Sequence, residues 1–122
     1  MTTNYPELGR DMGAAIGELR KAIPDVAKGF SAMANAALKP GVLDTKTKEL
    51  VAVGVAIAAR CDGCIAFHVK GARDAGATRE EIAETIASAV FMGGGPSLVY
   101  GSEALQAFDQ FEALDAPKAA AE

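Results

Sequence analysis

Residues 45–60 read TKTKELVAVGVAIAAR, and whether this stretch is a strand or a helix decides the fold. Its centre, VAVGVAI, is rich in β-branched residues and taken alone would suit a buried strand. Length argues the other way. Sixteen residues run without a turn signal, alanine recurs, and Asp44 and Thr45 stand ahead as candidate caps. The stretch is therefore predicted as a helix covered on most sides. Gly54 inside it costs ~1 kcal/mol relative to alanine, so it allows a close helix crossing or a bend.

On the N-terminal side, Leu8, Met12, Ile16, Leu19 and Ile23 recur at three and four, the spacing of a helix with one apolar stripe from Glu7 to about Ile23. Pro24 ends it or begins the next. Val26, Phe30, Met33, Ala34, Ala37 and Leu38 repeat the spacing until Lys39, Pro40 and Gly41 stop a second helix. On the C-terminal side Asp62 is positioned to cap a helix running through Cys64, Phe67, His68 and Ala72 to Asp74, with Gly76 as its stop. Thr78 and Glu81 form a capping box ahead of the Ile82, Ile86, Ala89, Val90 face. Gly93, Gly94 and Gly95 break the chain, Pro96 restarts it, and Leu98, Gly101, Leu105, Phe108 and Phe111 make a last stripe before a tail expected to fray from 116 to 122. The prediction is an all-α fold of about six helices in a single domain over 1–122.

Composition narrows the function. The chain has 122 residues, half of them apolar, enough for a core of its own. A net charge of −4 and scattered basic residues give no footprint for nucleic acid. No apolar run reaches the ~20 residues needed to cross a bilayer, and the N-terminus lacks a signal pattern, so no membrane is expected and a cytoplasmic location is. The apolar helix around Val51 to Ala59 needs cover on every side, which points to a homo-oligomer.

Both cysteines and the only histidine fall just beyond the deciding stretch, in RCDGCIAFH over 60–68. Cys61 and Cys64 are three apart and His68 follows by four, so on one helix all three share a face. A thiol attacks only as thiolate, and a neighbouring imidazole or helix N-terminus favours that anion. A stapling role for the pair is a poor explanation, since closing a four-residue loop stabilises by at most ~2 kcal/mol against ~4.7 for a hundred-residue loop. Structural zinc needs four ligands, and Cys61, Cys64 and His68 supply three; a catalytic zinc on those three stays open. No metal or other cofactor is expected. Glu49 reads either as a solvated first-turn carboxylate or as a functional one.

The pattern Glu49, eleven residues, C-x-x-C-x-x-x-H, then GARDAGATREEIAETI and FMGGGP resembles the alkylhydroperoxidase D-like branch of the carboxymuconolactone decarboxylase family over roughly residues 40–110. The resemblance implies an all-α fold, trimers or hexamers, and peroxide reduction by cysteine. Lipoyl-bearing proteins can serve as the dithiol reductant in that family. The best-known alkylhydroperoxidase D is longer and has a histidine between the cysteines where this chain has Gly63, so a relay through that histidine is absent. The decarboxylase branch does not use the cysteine pair, which disfavours decarboxylation.

The mechanism expected is attack of Cys64 on a small hydroperoxide with His68 handling the proton, then closure to a disulfide by Cys61 and reduction by an external dithiol. The opposite assignment of the cysteines is also open. Glu49 lies ~18 Å from Cys61 along a straight helix, so it reaches the site only if the next helix folds back antiparallel and brings it to His68. The alternatives are a thiol-disulfide oxidoreductase or redox sensor acting on a protein partner, and a helical oligomer with inert cysteines.

Overall fold

The computed structural model describes residues 3–121, with side chains through Asp115. Six helices follow in chain order: α1 (Tyr5–Ala22), α2 (Pro24–Leu38), α3 (Thr45–Ala59), α4 (Asp62–Asp74), α5 (Arg79–Gly93) and α6 (Gly95–Ala121). There is no strand among the described residues. The sequence rules for helix ends account for most boundaries. Asn4, Asp44 and Thr78 each accept a backbone N–H at an N-cap, and Thr78 with Glu81 closes both halves of the capping box. Pro24 opens α2 at its first turn. The backbone of α6 continues to Ala121, while the side chains of 116–122, where the sequence suggests fraying, lie outside the described ones.

One boundary differs from the sequence reading in a way that matters. Cys61, not Asp62, is the N-cap of α4, with an extended backbone at φ −111° and ψ 98°, and Asp62 is the first helical residue. The two cysteines are therefore not on one helix. Arg60 adopts the left-handed conformation at φ 57°, which ends α3, and the Cys61 N–H returns to the Ala56 carbonyl at 3.1 Å. The chain reverses in two residues, so α4 runs back along α3.

The core lies among α3, α4, α5 and α6, with the first turn of α1 inserted into it. Tyr5, Val53, Ile57, Ile65, Val69 and Ile82 are fully buried, and Ala104, Ala107, Phe108 and Phe111 supply the face of α6. Leu98, expected in that stripe, is exposed. Of the stripes expected on α1 and α2, only Leu8 packs against this core. Leu19 and Ile23 are exposed, α1 is held through Tyr5 and Pro6, and α2 buries no residue. The periodicity had identified amphipathic helices correctly but could not say that α2 stands at the edge of the bundle. On α3, Glu49, Val53, Ala56 and Ile57 are buried while Val51 and Val55 are 56% and 61% exposed, so the cover expected on every side is supplied on one side by the chain itself. No helix among the described residues is long and apolar enough to cross a membrane.

Candidate functional site

The reversal at Arg60 brings together residues that the sequence separates. Cys61 and Cys64 are joined by a disulfide, their Cα atoms 5.2 Å apart. Because Cys61 sits at the N-cap, its sulfur accepts the Cys64 backbone N–H at 3.2 Å. That N–H is one of the donors a helix start leaves without an intrahelical partner, and the positive end of the helix dipole lies behind it. A negative charge on the Cys61 sulfur is stabilised there once the disulfide opens.

His68 lies one turn beyond Cys64 on α4, and its Nδ1 is 3.2 Å from Glu49 Oε2. Glu49 is only 5% exposed, so the solvated reading of this carboxylate is excluded. The route is the one geometry demanded: α4 returns along α3 and closes the distance that a straight rod would have left. A carboxylate accepting from Nδ1–H fixes the tautomer with Nε2 unprotonated, the nitrogen that can take a proton. Nε2 has no partner among the described residues. Glu49 thus reaches the imidazole rather than the sulfurs.

Gly71, one turn beyond His68, was not singled out by its sequence context, and the structure shows what it does. A Cβ at this position would stand 2.8 Å from Glu49 Cδ and closer still to Oε2. The carboxylate occupies the space that a side chain would fill. A glycine in the interior of a helix, three residues after the histidine, was the available signal.

The site opens into a groove of about 490 Å³ between α2 and α3. Ala34, Ala37 and Leu38 of α2 form one wall and Val51, Val55, Ala56 and Ala59 of α3 the other. Cys64 and His68 line it, Cys61 does not, and Lys48 is the one further charged or polar side chain in the lining. Nothing in the sequence marked α2 as part of the site, because it contributes small apolar side chains with no chemistry of their own. Among the described residues no group of three or more histidine, cysteine or acidic side chains is arranged to hold a metal. With the sulfurs joined to each other, the three-ligand zinc alternative lacks its two thiolates in this form.

The sequence profile described as "Carboxymuconolactone decarboxylase family" matches residues 24–107. An uncharacterized protein of Cupriavidus necator is 38% identical over 93% of this chain and 100% of its own length. An uncharacterized protein of the cox locus of Paracoccus denitrificans is 39% identical over 81% of this chain and 89% of its own. Among solved structures, a carboxymuconolactone decarboxylase family protein from Legionella pneumophila in its apo form superposes with a TM-score of 0.85 at 48% identity, covering 88% of this chain and 96% of that one. A family member from Thermotoga maritima, for which involvement in an antioxidative response has been suggested, gives 0.70 at 31% identity over 75% of this chain and 94% of its own.

Proposed function

Because the chain belongs to the carboxymuconolactone decarboxylase family, we propose that it is a thiol-dependent peroxidase whose reducing equivalents pass through Cys61 and Cys64. The observation that carries this reading is a disulfide at a helix N-cap whose second sulfur faces a groove beside a carboxylate-oriented histidine. In the reduced protein Cys64 gives its proton to His68 Nε2 and attacks the terminal oxygen of a hydroperoxide. The O–O bond breaks, the alkoxide takes the proton from the imidazolium and leaves as an alcohol, and Cys64 is left as a sulfenic acid. The Cys61 thiolate, stabilised at the N-cap, then attacks the Cys64 sulfur, forming the disulfide and expelling hydroxide, which takes a proton from solvent and leaves as water.

The same geometry supports the return step. A dithiol entering the groove meets Cys64, and attack on that sulfur expels Cys61, the sulfur whose negative charge the helix start stabilises. The dithiol closes to its own disulfide and both cysteines are reduced. A lipoyl-bearing protein has the chemistry for this. The N-cap position of Cys61 also favours a second reading, exchange with a protein dithiol and no peroxide turnover.

The test is to follow alkylation of the reduced protein against pH, with each cysteine mapped, and then disulfide formation on adding hydroperoxide. Alkylation of Cys64 well below the pH at which a free thiol reacts, followed by stoichiometric peroxide consumption, is the expected result. Fast exchange with dithiols but no peroxide consumption would select the second reading. Thiols silent in the native state would mean inert packing.

Homo-oligomerisation belongs to the same proposal. Val26, Phe30 and Met33 form a stripe on α2 and are 58–67% exposed, and Phe91 and Met92 at the end of α5 are 84% and 80% exposed. Covering such side chains is worth roughly 25 cal/mol per Å². Sedimentation is expected to give three or six times the chain mass, and Phe30→Glu to give dissociation. A wild-type monomer at micromolar concentration would remove oligomerisation from the reading.

A further inference from the structure

The groove is more than an access route, because its polar groups are distributed unevenly. Along α3 its wall is Lys48, Val51, Ala52, Val55, Ala56 and Ala59, positions that share one helical face. Lys48 stands at the first turn. Cys64 lies toward the other end, where α4 begins its return along α3. Between Lys48 and Ala56 the helix rises by eight residues, ~12 Å, and every side chain that α3 gives the groove in that interval is apolar, with His68 of α4 beside Cys64 as the further polar group.

Lys48 is half-buried, and its ammonium donates to the Lys39 carbonyl at the end of α2 at 2.6 Å. An ammonium has three donors, so that bond holds the charge at the groove's edge and leaves two to offer. No carboxylate lines the groove: Glu49 turns to His68, and Asp44 is held to the Thr47 N–H as a helix cap. A lone cation at one end, an apolar channel and a reactive sulfur at the other fit one kind of molecule. From this arrangement we infer that the preferred substrate is the hydroperoxide of a long-chain carboxylic acid, its carboxylate on Lys48, its alkyl chain along α3 and its peroxide at Cys64. This rests on the peroxidase reading and adds the substrate class to it. At ~1.25 Å of extended chain per methylene, ~12 Å spans about ten carbons, with dispersion and burial contributions along their length.

The chemistry is that of the proposed cycle with the groups assigned. Cys64 is oxidised to the sulfenic acid, the hydroperoxide is reduced to the hydroxy acid, and the proton returned by His68 completes its hydroxyl. Cys61 then closes the disulfide with loss of water, and an external dithiol supplies the two electrons for the next turnover.

A single-turnover experiment needs no reductant. The reduced protein is mixed with a C18 fatty-acid hydroperoxide, with its methyl ester, or with hydrogen peroxide, below micellar concentration, and disulfide formation is timed. The acid is expected to react roughly fivefold faster than the ester at sub-saturating concentration, ~1 kcal/mol for an ion pair at a groove edge. The gain should appear in the apparent affinity rather than in the saturated rate. In Lys48→Gln the acid-to-ester ratio should fall to near one, and in Lys48→Arg it should return. The ratio is internal to each variant, so a change in stability does not disturb it. Equal rates for acid and ester in the wild type, or a preference that survives Lys48→Gln, would overturn the inference. If hydrogen peroxide still oxidises the pair in that case, the peroxidase reading stands and only the substrate class falls. If no hydroperoxide oxidises the pair, both fall.

Discussion

Cys64→Ser is expected to abolish hydroperoxide reduction, by roughly a thousandfold or more, because it removes the groove-lining sulfur that the proposed cycle makes the nucleophile. Cys61→Ser is expected to behave differently. That variant keeps the attacking sulfur and its histidine, so it should consume one equivalent of peroxide and stop at the sulfenic acid, which a dimedone-type probe captures on Cys64. The asymmetry follows from position: Cys64 and His68 line the groove, whereas Cys61 sits behind them as the cap of α4. Peroxide consumption with mass-spectrometric mapping of the adduct separates the two roles. A sulfenic acid on Cys61 in Cys64→Ser, at wild-type rate, would reverse the assignment.

In the proposed cycle the order of the two sulfurs would also set the direction of electron flow. A helix N-terminus stabilises negative charge within its first turn, and the Cys64 N–H is directed at Cys61. The sulfur so favoured is a good leaving group but one of lower intrinsic nucleophilicity, which suits it to closing and releasing the disulfide. In the proposed cycle Cys64 would depend on His68 instead, whose Nδ1 lies against Glu49. Two different devices would therefore serve two adjacent sulfurs, of which Cys64 lines the groove and Cys61 does not.

The helices were legible from sequence because their ends carry local chemistry. The Thr78 and Glu81 box, the Asp44 cap and the glycine break after Val90 each depend on residues within one turn of one another. The long apolar stretch at 45–60 was resolved by length and caps, and α3 holds them. The cap at Cys61 was misread because aspartate is the common N-cap and cysteine is not, yet here the sulfur does the accepting. What the stripes of α1 and α2 would cover was not legible, since periodicity gives a face but not its partner. The site divides in the same way. Cys61, Cys64 and His68 are close in sequence and were found from spacing; the contact of Glu49 with His68 required α4 to return along α3. Gly71, Lys48 and the α2 wall belong to the candidate site through shape and position, and composition carries no trace of either.

Gly71→Ala is the substitution that tests this shape directly. In a helix interior the change ordinarily stabilises by ~1 kcal/mol. Here the new methyl would occupy the space of the Glu49 carboxylate, 2.8 Å from its Cδ. Overpacking of this kind costs about 1–3 kcal/mol, so the carboxylate is expected to leave His68 rather than the helix to move. The rate of Cys64 oxidation should fall roughly 10- to 100-fold, at or below the lower end of what a positioned acid–base group contributes because the imidazole itself remains, with a changed pH profile. Glu49→Gln should give the same profile, since both remove the charge that fixes the ring. Gly54→Ala is the matched control: its methyl would meet Thr85 Cγ2 at 3.7 Å, an ordinary contact, so it should gain stability and leave the rate alone. The decisive comparison is a double-mutant cycle. In a Glu49→Ala background the obstructing carboxylate is gone, so Gly71→Ala should cost nothing in thermal stability and recover its helix-propensity gain, a coupling of about 1–3 kcal/mol. An equal cost in both backgrounds would mean that the glycine serves the packing of α4 and not the placement of Glu49.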